Sequence, residues 1–104
     1  MDLSELKQQA DLSFDRATAK KNALERAKSR SVVSYNNHIF MANAETINLV
    51  SVLSQRHTVF YILDHNQNPC KISQGEEFLS LLIQRNQEVI NQYHQLYEEL
   101  KKRK

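Results

Sequence analysis

Only two residues of this 104-residue chain, Pro69 and Gly75, belong to the types that break helices or free the backbone. The chain is therefore neither a flexible linker nor collagen-like, and long stretches can run without a break. The first such stretch predicts a helix over residues 2–29, with Asp2 or Ser4 able to cap its start. Leu3, Leu6, Ala10, Ala17, Leu24 and Ala27 fall along it at three-four spacing, so they share one narrow stripe. Ser13 and Lys20 interrupt that stripe, which makes it a thin seam in need of a partner surface.

The period changes after residue 30. Val33, Tyr35 and Phe40, with Val32, Ile39 and Met41, are β-branched, aromatic or long apolar residues flanking Asn36-Asn37. Asparagine tolerates positive φ better than any residue but glycine, which suits a two-residue hairpin turn. Asn43 then starts a helix over 44–56 whose apolar residues, Ile47, Leu49, Val50, Val52 and Leu53, surround much of its circumference. This predicts a central, deeply buried helix. Thr58 to Leu63 is apolar on alternate and intervening positions alike, the pattern of a strand covered on both faces. A polar turn over 64–69 leads to the short returning strand Cys70-Lys71-Ile72, with Cys70 and Ile72 inward. Ser73 with Glu76 forms a capping box for a last helix from 74 to about 102.

The expected fold is α+β, in the order α-β-β-α-β-β-α, with a small antiparallel sheet. It forms a single domain over 1–104, with a leading helix at 1–30, a β-β-α-β-β core at 31–73 and a C-terminal helix at 74–104. Fourteen basic and twelve acidic residues are well mixed, which leaves no broad footprint for nucleic acid. The clusters Lys20, Lys21, Arg26, Lys28, Arg30 and Lys101 to Lys104 fall near helix ends, where cations offset the macrodipole. A lone cysteine gives no disulfide framework, and the polar N-terminus lacks the apolar core of a signal peptide. The longest apolar run, Val59 to Leu63, is far too short to span a bilayer. The expected location is the cytoplasm where the chain is made.

No catalytic, cofactor or metal site is expected. His38, His57, His65 and His94 show no ligand spacing, and none neighbours a cysteine. Cys70 lies shortly before a helix start, but its alternation with Ile72 turns it inward as a small hydrophobe. Asp64 beside His65 has the form of an acid-base pair, yet such turn aspartates usually cap their own backbone. Tyr93, His94 and Tyr97 could stack on a base, but Tyr93 and Tyr97 already belong to a helical seam. That seam (Leu82, Asn86, Val89, Tyr93, Leu96 and Leu100) exceeds what small strands can cover. Leu82, Val89, Tyr93, Leu96, Tyr97 and Leu100 are therefore the candidate protein interface, and a second copy of the chain is the expected cover.

The segment Val32-Val33-Ser34-Tyr35-Asn36-Asn37-His38-Ile39-Phe40-Met41-Ala42, the helix ending near Leu53, and Val59-Phe60-Tyr61-Ile62-Leu63-Asp64 follow one another in a telling order. With Cys70-Lys71-Ile72-Ser73 and Glu76-Glu77-Phe78-Leu79, they resemble a phage and prophage domain of unknown function often encoded with tail-fibre and tail-fibre-assembly genes. The resemblance covers roughly residues 18–100 and departs at Asn36-Asn37, where members usually carry glycine. It implies a virion-associated or assembly protein of the bacterial host's cytoplasm that binds itself, another phage protein or a host protein. It supplies no catalytic residues. Two rival expectations are a small phage-encoded inhibitor of a host or defence protein, and a nucleic-acid-binding regulator using the basic end.

Overall fold

The computed structural model describes residues 3–102, with side chains from residue 15 onward. The order is α1 (Leu3–Arg30), β1 (Val32–Tyr35), β2 (His38–Met41), α2 (Ala44–Arg56), β3 (Phe60–Leu63), β4 (Pro69–Ile72) and α3 (Gly75–Lys102). This is the expected α+β arrangement. The strands form two separate antiparallel hairpins, β1 with β2 and β3 with β4.

Each hairpin is built by its turn. Asn36 and Asn37 both take positive φ, 49° and 65°, as a two-residue primed turn requires, and Tyr35 pairs with His38 across it. The second turn is closed by Asp64, whose Oδ1 accepts the Asn66 and Asn68 N–H groups at 2.8 and 2.9 Å while Gln67 takes φ 66°. At the start of α2, the Asn43 side chain accepts the Thr46 N–H at 2.9 Å.

The core joins alternate strand residues to α3. Val33, Phe40, Phe60, Ile62, Cys70 and Ile72 point inward from the hairpins and meet Val50 of α2 and Phe78 and Leu82 of α3. Phe78 is the centre of an aromatic cluster, stacked on Tyr35 at 4.7 Å and edge-on to Phe40 at 4.9 Å. The seam residue Asn86 donates its Nδ2–H to the Ala42 carbonyl at 2.9 Å, pinning α3 to the β2–α2 junction.

Three expectations are corrected. α2 is not the most buried helix: only Val50 is fully enclosed, while Leu49 and Val52 are exposed. It rests on α3 by one face, and hairpins of four-residue strands are too small to wrap the other. β3 is covered on one face only, with Phe60 and Ile62 buried and Tyr61 and Leu63 exposed. The last helix opens at Gly75, where the Gln74 carbonyl accepts the Phe78 N–H, so Ser73 lies before the cap position.

Gly75 is needed at that opening. A Cβ there would press on the Ser54 hydroxyl and lie 3.0 Å from the Phe60 ring edge. Gly75→Ala is expected to cost about 1–3 kcal/mol through overpacking, read as a lower urea midpoint at unchanged slope.

Candidate protein interface

The seam of α3 is largely taken by α1 of the same chain. Ala23 and Ala27 are buried against it, and their short side chains let the two helices approach closely. The helices run antiparallel: Leu24 and Ala27 line a groove with Val89, Ile90 and Tyr93, whereas Ala17 and Lys20 lie with Tyr97 and Leu100. Lys20, the expected break in the stripe, places its ammonium 5.5 Å from the centre of the Tyr97 ring, so a charge at that position supports the contact. Leu24 and Ala17 are exposed, and the working stripe runs through Ala19, Ala23 and Ala27. The side chains of Leu3, Leu6, Ala10 and Ser13 lie outside the described residues, as do Asp2 and the last two basic residues.

The six candidate interface residues therefore separate. Leu82 and Val89 are buried in the chain's own core. Tyr93 and Leu100 are half-buried along α1, and Leu96 and Tyr97 keep an exposed edge. They are brought together on one helix face, of which the first helix and the core cover part and Leu96 and Tyr97 remain exposed. The small residues of the first helix are what permit this fit.

The open apolar surface lies on the second hairpin. Tyr61 and Leu63 are 66% and 56% exposed and alternate with the buried Phe60 and Ile62, so both stand on the outward face of β3, and Val59, in the bend before the strand, is 44% exposed. Signal for this was present in the sequence: β3 is apolar at every position, and a thin domain has too little material to cover both of its faces.

The backbone of this hairpin is equally one-sided. The Asp64 N–H donates to the Asn68 carbonyl, extending the β3–β4 ladder, and the Asn36 side chain donates to the Lys71 carbonyl from outside it. Phe60–Ile72 and Ile62–Cys70 are thus the pairs that exchange ladder bonds, whereas Tyr61–Lys71 and Leu63–Pro69 turn their backbone groups outward. On the β4 edge those groups are reduced: the Lys71 carbonyl accepts from Asn36, and Pro69 has no N–H. On the β2 edge the Ile39 carbonyl is taken, accepting the His65 N–H at 2.8 Å. On the β3 edge, no hydrogen bond among the described residues reaches the backbone of Tyr61 or Leu63.

The titratable groups at the hairpin turns serve structure. Asp64 Oδ2 accepts the His38 Nδ1–H at 2.6 Å, tying the first hairpin to the second turn, and the carboxylate is almost wholly buried. It therefore pairs with His38, not with His65, and caps its own turn as expected. The His38 bond, followed by the Asn68 and Asn66 amides, holds the Asp64 carboxyl below the ordinary carboxylate range despite its burial. Nothing in the sequence marked this pair, which is 26 residues apart. Burial first, and the nearby Asp64 charge second, push the Cys70 thiol up, away from the thiolate a nucleophile needs. Native Cys70 should accordingly react with a thiol reagent at neutral pH many-fold more slowly than in urea, and equal rates would contradict its placement. Among the described residues, no three His, Cys, Asp or Glu side chains converge as a metal site. No described helix is long and apolar enough to cross a membrane.

Compared with protein-family models, with curated proteins and with solved structures, the chain matches none.

Proposed function

We propose that this chain is a non-catalytic protein-protein interaction domain that works in the structure or assembly of a phage tail fibre. The observation that carries the interaction reading is the outward side of the second hairpin, where Val59, Tyr61 and Leu63 stand exposed together. The ionisable groups that could have suggested chemistry are engaged in holding the hairpins together, with Asp64 bound to His38 and two turn amides and Cys70 enclosed in the core. The basic residues Lys28, Arg30, Lys101 and Lys102 sit in the last turns of α1 and α3, which favours the helix-end reading of these charges over a nucleic-acid surface. The tail-fibre setting rests on the resemblance carried by Val32 to Ala42, Val59 to Asp64 and Cys70 to Leu79.

The test is capture by the immobilised chain from cells expressing phage fibre and fibre-assembly proteins, with Tyr61→Lys and Leu63→Lys variants in parallel. Retention of a fibre or assembly protein that both variants lose supports the reading. Retention of a host or defence protein instead would replace it with the inhibitor reading. Salt-sensitive retention of nucleic acid alone would replace it with the regulator reading.

A further inference from the structure

The unpaired edge of β3 has the composition that protein surfaces usually avoid. Natural sheet edges are blunted by lysine, proline, a bulge or a covering segment, because bare backbone groups template another strand. β4 follows this rule with Pro69 and Lys71, and β2 follows it by engaging His65. β3, Phe60-Tyr61-Ile62-Leu63, has no charge and no proline, and its flanking Val59 is also apolar. Of the three edges that bear on the second hairpin and its turn, this one has no outward backbone group engaged among the described residues, whereas β4 and β2 each have a carbonyl taken.

We infer that the β3 edge pairs antiparallel with the same edge of a second copy, making a four-stranded sheet in the order β4-β3-β3-β4 across a twofold axis. The inference rests on the protein-binding reading and names the partner. The chain geometry favours this occupant in three ways. Tyr61 directs both its N–H and its C=O outward, so two copies centred on Tyr61 exchange both bonds reciprocally, as a twofold axis demands. In that register Tyr61 faces Tyr61 on one side of the sheet, an aromatic cross-strand pair of the kind that stabilises sheets, with the exposed Leu63 on the same side. Charge raises no obstacle. The nearest cations on that side, the two Lys71 residues, lie three strand spacings apart, roughly 14 Å, beyond the screening length of physiological salt.

Sedimentation of the full chain across a micromolar to high-micromolar series tests this, alongside three variants. The unmodified chain is expected to shift from monomer to dimer as concentration rises. Tyr61→Pro removes only an outward N–H, which an edge strand tolerates, and should stay monomeric with an unchanged circular dichroism spectrum. Should that variant fail to fold, Tyr61→Lys is the second block on the same edge. Tyr61→Cys should be joined to its partner by a short bis-maleimide, because directly paired residues place their Cα atoms about 5.5 Å apart, whereas Leu49→Cys on α2 should not. An unmodified chain that stays monomeric throughout overturns the self-pairing and leaves the fibre-capture result to decide the wider reading. Dimerisation that survives both Tyr61→Pro and Tyr61→Lys, or an uncrosslinked Tyr61→Cys dimer, overturns the assignment to this edge.

Discussion

Replacing Phe78 with alanine should lower stability by about 3–5 kcal/mol, the largest single-residue loss expected in this chain. Phe78 is fully buried and is the one ring in contact with both Tyr35 and Phe40, so it joins α3 to both strands of the first hairpin. A chain of this size holds about 5–15 kcal/mol in all, so the variant would keep little of it. Its thermal midpoint should fall by roughly 15 °C or more. Phe78→Leu, which keeps most of the volume, should lose far less. Equal midpoints for Phe78→Ala and the unmodified chain, by calorimetry, would mean that the aromatic cluster is not the centre of the core.

The second large effect is acid sensitivity through Asp64. Its folded carboxyl titrates below its ordinary value, chiefly because the His38 Nδ1–H donates to it, with the Asn68 and Asn66 amides adding to the effect. A depressed carboxyl contributes stability that is fully present above its unfolded value, about 3.9, and that is lost as pH falls through the folded one. The unmodified chain should therefore lose stability as pH drops below about 4, and Asp64→Asn should lose it with a shallower slope over the same window. The variant should also be weaker at neutral pH. Its amide can still accept the Asn66 and Asn68 N–H groups, but it no longer offers a charged oxygen to His38. Urea titrations at a series of pH values decide this. Parallel pH profiles for the two proteins would show that Asp64 does not carry the acid response.

Local chemistry made much of the fold readable. The Asn36-Asn37 turn was legible because positive φ at two successive positions selects very few residue types, and asparagine is one of them. Cys70 and Ile72 were legible because strand alternation fixes which side each must take. What escaped were relations between distant segments. Ala23 gave no signal because alanine adds little hydrophobic pattern, although its value with Ala27 lies in close approach to α3. Lys20 read as an interruption, although its ammonium lies over the Tyr97 ring. The burial of α2 was overrated from composition, since apolar residues around a helix guarantee cover only when the domain has enough mass to supply it. For the same reason the outward face of β3 looked like core. The six α3 residues form one seam, as their spacing shows, but the first helix and the core take most of it.

The proposed binding surface and the structural core lie on opposite sides of β3: Phe60 and Ile62 anchor it inward, while Tyr61 and Leu63 hold side chains and backbone groups free. Residue-resolved hydrogen exchange reads that division directly. In the dilute chain the Phe60 and Ile62 amides, bonded within the β3–β4 ladder, should exchange slowly, and the Tyr61 and Leu63 amides should exchange fast. On association with a protein chain, whether a second copy or a captured fibre protein, Tyr61 and Leu63 should gain strong protection. Protection appearing only elsewhere, on α2 for example, with Tyr61 and Leu63 still exchanging fast in the complex, would contradict the account.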